Sequence, residues 1–237
     1  CKDGYAKRTI KYDKNNNPIE YSFYDTGGKS CYRKGGYAKF TTKYDKNNNP
    51  IEYSYFDSEN KPLYINEGYT KFTIKYDKNN NPIEYSCYDI EGKPCYCKDG
   101  YAKQKRKYDF RENLSEMSFY DIEGNLTCNK EGVAMFKYKY DSYGNLVEIS
   151  NYDVNGIRCY DRDGIAVSKW KFDLKGNCIE YLKCDIKGAL TQGSDNYAKL
   201  SMKYDKYSRC IEKAYFSDTC TLIPNNHGVA VEKFIYN

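Results

Sequence analysis

Asp13, Asn15 and Asn17 form the pattern D-x-N-x-N, which opens many calcium loops. The trio recurs as Asp45, Asn47 and Asn49, and again as Asp77, Asn79 and Asn81. In later copies the middle position becomes Arg111, Tyr143 and Lys175, and the loop's glycine and closing glutamate are missing. A plain turn explains every copy, so calcium stands only as an alternative, and neither a cofactor nor a resident metal is expected. Catalysis finds little to build on. His227 is the single histidine, and nothing in the sequence orients it towards Cys220. No phosphate loop, nucleophile elbow or His-Glu zinc motif is present. The carboxylates Asp13, Glu20 and Asp25 recur along the chain as turn caps and ladder partners would. The chain therefore reads as no enzyme.

The 11 cysteines form an odd and high count. Cys31, Cys95 and Cys159 share a position held elsewhere by Leu63 and Ile223, the pattern of a small buried hydrophobe. Matching positions in successive hairpins lie roughly 9–10 Å apart, too far for a bridge between them. Cys95 and Cys97 are separated by Tyr96 alone, which is not zinc spacing. Free thiols are the expectation. They favour a reducing setting and keep a cytoplasmic location open.

Tyrosine is the remaining chemical signal, with 29 copies. Counting in steps of two puts Tyr5 and Tyr24 on the polar side with Lys11 and Glu20. Their copies, Tyr37, Phe56, Tyr69, Tyr88, Tyr101 and Tyr120, are the candidate ligand-binding residues. Tyrosine rows beside Lys and Asn suit sugar or peptide surfaces, because Tyr gives large contact area at low entropy cost. The competing reading buries these rings under a connector as a second small core.

What positions these residues is a repeat. Tyr12-Asp13 returns as Tyr44-Asp45, Tyr76-Asp77, Tyr108-Asp109 and Tyr140-Asp141, then as Phe172-Asp173, Tyr204-Asp205 and Tyr236-Asn237. Every step is 32 residues. A second series starts at Tyr24-Asp25 and a third at Gly4, with the same step. One repeat domain follows, with units 1–32, 33–64, 65–96, 97–128, 129–160, 161–192 and 193–224 and a partial unit 225–237. Residues 1–7 recur word for word as 97–103, so Cys1 sits inside the repeat register and the chain reads as a stretch of a longer array. Lipid modification of Cys1 is the sharper alternative.

Within a unit, residues 5–12 alternate in character and predict a strand. Residues 13–17 carry turn chemistry, which Gly144-Asn145 and Gly176-Asn177 reinforce. A second strand then runs over 18–25. Pairing positions that sum to 31 sets Lys11 against Glu20 and Thr9 against Ser22. On the other side it sets Tyr12 against Ile19, Ile10 against Tyr21 and Arg8 against Phe23. The Lys–Glu pair recurs in every unit, and a one-residue slip would turn each Lys inward. A second turn follows at 25–29, and then a segment at 30–32 that is either a cover or a third short strand. The predicted fold is all-β: an elongated, twisted antiparallel β-hairpin array of tandem 32-residue repeats. A parallel β-solenoid is the alternative, but it would stack like charges in columns.

The stretch Tyr140-Asp141-Ser142-Tyr143-Gly144-Asn145-Leu146-Val147-Glu148 resembles the YD-repeat motif of RHS-type repeat proteins, and Phe172-Asp173-Leu174-Lys175-Gly176-Asn177 is similar. The first three units depart from it, with Asn-Asn-Asn-Pro in place of Gly-Asn. The resemblance implies an antiparallel sheet that spirals as repeats are added, in surface-exposed or exported proteins, some of them hollow shells around a toxin. Flanking repeats or domains are then expected in the full-length protein.

The charge balance is 38 basic to 33 acidic, a net +5, which does not predict a nucleic-acid binder. No run of 18 apolar residues is available to cross a membrane as a helix, so no membrane insertion is expected. The expected function is a non-enzymatic repeat module for binding or spacing, on a cell surface or secreted, with a glycan or protein partner. A scaffold fragment of a larger protein, an RHS-type shell or a regulatory array beside an enzyme domain, is the alternative.

Overall fold

The computed structural model describes residues 3–236. Cys1 and Asn237 lie outside the described residues. Fifteen strands, neighbours in chain order, make one antiparallel sheet, and no helix occurs among the described residues. The hairpins are β1 (Lys7–Tyr12) with β2 (Pro18–Tyr24), β3 (Lys39–Tyr44) with β4 (Pro50–Phe56), and β5 (Lys71–Tyr76) with β6 (Pro82–Tyr88). They continue as β7 (Lys103–Tyr108) with β8 (Leu114–Tyr120) and β9 (Met135–Tyr140) with β10 (Leu146–Tyr152). The last are β11 (Val167–Phe172) with β12 (Cys178–Cys184) and β13 (Lys199–Tyr204) with β14 (Cys210–Phe216), followed by β15 (Val231–Lys233). Strand openings step by 32 residues throughout. By compactness the chain divides into two units, Cys1–Arg106 with Ser118–Asn129, and Lys107–Met117 with Lys130–Asn237.

The antiparallel hairpin is the architecture found, and its register follows the charges. Lys11 pairs with Glu20, Ile10 with Tyr21, Thr9 with Ser22 and Arg8 with Phe23. Lys and Glu meet in all seven hairpins, at 2.7 Å for Lys11–Glu20 and 2.8 Å for Lys75–Glu84. Such exposed pairs contribute little to stability one by one, and their larger effect is on register.

The expected Tyr12–Ile19 pairing is corrected. A bulge between Lys11 and Tyr12 sets Tyr12 against Pro18, and likewise Tyr76 against Pro82. The bulge frees the Tyr side chain for a neighbour. Tyr44 Oη donates to the Pro18 carbonyl at 3.1 Å, and Tyr76 Oη to the Pro50 carbonyl at 3.0 Å. Tyr140, Tyr204 and Tyr236 make the same bond to the residue 26 positions earlier. Tyr44, Tyr76, Tyr140, Tyr204 and Tyr236 thus tie their strands to the hairpin before, a bond that Phe172 cannot make.

Each repeat holds three turns of one kind. The first turn bonds Asp13 N–H to the Asn17 carbonyl and Asn16 N–H to the Asp13 carbonyl. Asn16 sits at φ 65°, and its counterpart Gly144 at φ 87°. That left-handed backbone explains why Asn and Gly exchange there. The connector segment is neither a strand nor a loose cover. It forms one isolated bridge, Tyr24 to Ser30, and returns Cys31 N–H to the Phe23 carbonyl at 3.0 Å before the third turn. Under that turn sits a small residue, Ala38 or its copies Ala102, Ala134, Ala166 and Ala198, all buried. Ala38 bonds both ways, its N–H to Phe56 and its carbonyl to Phe23. Cys31, Cys95 and Cys159 are half-buried rather than buried. Their thiols donate to the carbonyls of Gly4, Gly68 and Gly132, 27 residues earlier.

Candidate functional site

The six candidate aromatic residues do not share a face. Side chains alternate along a strand, so Phe56 lies with Ser54 and Glu52. It carries the Lys39 ammonium 4.7 Å from its ring centroid. Tyr88 carries Lys71 at 4.5 Å, and Tyr120 carries Lys105 at 4.7 Å. The row continues to Tyr152 under Lys137 at 4.8 Å, which the sequence reading did not include. Cations over ring faces at these distances are attracted by the ring quadrupole.

Tyr37, Tyr69 and Tyr101 lie on the opposite side, against the inward-facing residues of the second strands. Tyr37 is 6.1 Å from Phe23 and 5.0 Å from Tyr55, and its hydroxyl accepts from Arg33 Nη1 at 3.0 Å. Tyr69 contacts Tyr55 and Phe72 at 6.1 and 5.5 Å, and Tyr101 contacts Phe119 at 4.8 Å. Burial pushes the Tyr37, Tyr69 and Tyr101 phenols up. Tyr37 belongs to the third turn, since its carbonyl accepts the Arg33 N–H. That turn swings over the aromatic face before the strand begins at Lys39, which breaks the count of two used to place it.

The polar-side row borders a cleft that recurs. One copy, of about 140 Å³, is lined by Phe56, Pro62, Thr70, Lys71, Asp89 and Ile90 among others. The next, of about 130 Å³, is lined by the residues 32 positions on: Tyr88, Pro94, Ala102, Lys103, Asp121 and Ile122. Each offers an aromatic ring, a cation, a carboxylate and an apolar rim. Thr70 Oγ1 is tied to the Asp89 carbonyl at 2.7 Å in the first copy, a bond that Ala102 cannot make in the second.

The residues of the calcium alternative sit at the hairpin tips. Asp13 Oδ1 accepts the N–H groups of Asn15 and Asn17, both at 2.8 Å, and Asn17 Nδ2 donates to Asp13 Oδ2 at 3.1 Å. Asp45 with Asn47 and Asn49, and Asp77 with Asn79 and Asn81, repeat this arrangement. The N–H bonds from Asn17, Asn49 and Asn81 hold these carboxyls below the usual range. The Asp oxygens therefore serve the turn. Among the described residues no three His, Cys, Asp or Glu side chains gather in a metal-binding group.

One polar site was missed. Lys183 stands where other repeats carry Phe23, Tyr55, Phe119 or Tyr215, and it is buried. Its ammonium pairs with Asp195 and lies 3.5 Å from the Tyr197 ring centroid. Burial pushes the Lys183 ammonium down, while Asp195 opposes that shift. Asp163 Oδ1 accepts from Ser194 Oγ at 2.6 Å beside it, and a cavity of about 330 Å³ opens there. A Lys in a column of aromatics was the available signal.

No protein-family model matches the chain, and no curated protein matches it. Among solved structures it is similar to a crystal structure of TcdB2-TccC3-Cdc42, with a TM-score of 0.45 and 9% identity over 98% of this chain and 12% of that one. It is also similar to the Photorhabdus luminescens Tc holotoxin pore, with a TM-score of 0.42 and 9% identity over 92% of this chain and 11% of that one. The chain thus spans about an eighth of the first of these chains and about a ninth of the second.

Proposed function

We propose that the chain is a non-enzymatic repeat module, a length of a longer YD-repeat array of the RHS type, that binds an extended glycan or protein partner along its polar face. The observation that carries this reading is the cleft beside Phe56 and its copy beside Tyr88, built from equivalent residues one repeat apart. A ligand that repeats along its own length engages such sites together, and effective concentration multiplies weak contacts. Phe56, Tyr88 and Tyr120 are the binding row. Tyr37, Tyr69 and Tyr101 pack the other face and hold the connector turn. A surface-exposed or exported setting fits such a partner.

The test is a truncation series. Chains of two, four and seven repeats are titrated against a ligand selected on glycan and extracellular-protein arrays. Affinity rises steeply with repeat number and changes little with salt, because aromatic contact is screened less than charge. Equal affinity for two and seven repeats would sink the reading.

A second reading, a scaffold within a larger protein, is favoured by the tyrosine bonds that tie neighbouring hairpins at Tyr44, Tyr76 and Tyr204. A chain lacking residues 65–96 should then fold normally and shorten its parent assembly by one step. If removing one repeat unfolds the remainder, the units are not interchangeable spacers.

A further inference from the structure

Cys97 opens the third turn of its repeat. Its N–H donates to the Tyr101 carbonyl at 2.8 Å, and Gly100 N–H returns to its carbonyl at 2.9 Å. Two equivalent turns, those opened by Asp161 and Asn225, are capped by a side-chain acceptor. Asp161 Oδ1 takes the N–H groups of Asp163 and Ile165 at 3.0 and 2.9 Å. Asn225 Oδ1 takes those of His227 and Val229 at 2.9 and 3.2 Å. In the Cys97 turn the sulfur takes this place, facing the N–H groups of Asp99 and Tyr101. The Cys87 side chain first, and then these backbone donors, favour the Cys97 thiolate over the thiol, against the opposing effect of burial.

The partner position lies ten residues earlier, in the second strand. Its side chain meets the cap in other repeats: the Arg33 guanidinium lies 5.5 Å from the Phe23 ring centroid, and Asn151 Nδ2 donates to Asp161 Oδ2 at 3.3 Å. Here the partner is Cys87, only 2% exposed, whose backbone carbonyl also holds the Cys95 N–H at 3.1 Å. The Cys87 and Cys97 side chains interact directly, and this is the one repeat with cysteine at both positions. The Asp99 carboxylate opposes charge on Cys97, and Cys95, Tyr69 and Tyr101 are the other titratable neighbours.

We propose that Cys97 and Cys87 form a reactive dithiol site that low-molecular-weight disulfides oxidise to a Cys87–Cys97 disulfide. The Cys97 thiolate attacks one sulfur of the small disulfide. That S–S bond breaks, one small thiolate leaves and takes up a proton, and a mixed disulfide remains on Cys97. Cys87 then gives its proton to water and attacks the Cys97 sulfur, expelling the second small thiolate. Two protein thiols are oxidised, and one small disulfide is reduced to two thiols.

The full chain is incubated with oxidised glutathione at neutral pH, and intact mass and peptide mapping are followed in time. Wild type should lose two hydrogens through a Cys87–Cys97 cross-link. Cys87→Ser should instead hold one glutathione on Cys97, formed roughly tenfold faster than on Cys220, as thiolate character rather than exposure directs such reactions. Cys220 is the exposed thiol among the described residues and serves as the internal control. Cys97→Asp reproduces the Asp161 cap, so it should keep the melting temperature and abolish the cross-link. Labelling of Cys220 first, or a stable glutathione adduct on Cys97 of the wild type without closure, would overturn the proposal.

Discussion

The hairpin tips of the first three repeats and those of the later four share a backbone and differ in surface. In the first group, Asn17 Nδ2 donates to Asn48 Oδ1 at 2.8 Å, and Asn49 Nδ2 to Asn80 Oδ1 at 2.8 Å, so amides join one tip to the next. In the second group the joining groups are long cations. Arg111 Nη1 donates to the Ser142 carbonyl at 2.9 Å, and Lys175 Nζ to the Lys206 carbonyl at 3.2 Å. The second group also displays Phe110, Tyr143, Leu174 and Tyr207, exposed at 90, 81, 96 and 66%. Grooves of about 440 and 710 Å³ lie beside Phe110 and Leu174. Both groups keep the Asp cap and the left-handed fourth position, as in Asp77 with Asn80 and Asp173 with Gly176. The lesson is that two positions per tip set the turn, and the remainder are available for surface chemistry.

The largest effect should come from beneath this comparison, where both groups depend on packing. Phe23→Ala removes a buried ring and should cost about 3–5 kcal/mol in denaturant melts. A cost below that of a cap substitution would mean that the aromatic face is not the core.

Cap substitutions sharpen the comparison directly. Asp77→Ala and Asp173→Ala should each lower the denaturant midpoint by similar amounts, less than Phe23→Ala does, since each leaves turn N–H groups without their acceptor. Equal costs support one turn in two surface guises; a cost confined to one group would break it. The caps also set a pH dependence. Their folded-state carboxyl values lie below the unfolded value of about 4, so their stabilisation is complete above that pH and is lost as pH falls through the depressed values. Replacing Asp13, Asp45 and Asp77 by Asn should flatten the fall of melting temperature below about pH 4.

Smaller effects separate the groups. Asn48→Gly, which keeps the left-handed backbone at φ 63°, should cost about 1 kcal/mol by removing an intertip hydrogen bond. Lys75→Ala should cost under about 1 kcal/mol, because the Lys75 side chain is itself largely exposed to solvent. Leu174→Ser should change stability by less than about 0.5 kcal/mol, since that side chain touches solvent almost throughout. A larger loss at Leu174 than at Asn48 would show that the second group's tips are packed against something.

The period, the hairpins and the Lys–Glu register were legible because charge and period-two alternation report on strand faces. Tyr12 against Pro18 was not, because a bulge leaves no mark in composition. The faces of the six candidate rings were half legible. Phe56, Tyr88 and Tyr120 lie within strands, where alternation holds, whereas Tyr37, Tyr69 and Tyr101 follow a turn whose path resets the count. Lys183 was visible as a Lys among aromatics, but only the fold places Asp195 and Tyr197 around it. The Cys87–Cys97 contact depends on a connector that doubles back, which linear spacing does not disclose.

The most direct test compares the two aromatic rows. Binding to the array-selected ligand is measured for wild type, for Phe56→Ala with Tyr88→Ala and Tyr120→Ala, and for Tyr37→Ala with Tyr69→Ala and Tyr101→Ala, each at a temperature where it is folded. The account predicts that the first triple abolishes binding while keeping most of its stability, and that the second loses stability while its folded fraction still binds. Retained binding in the first triple, with loss in the folded second, would contradict it.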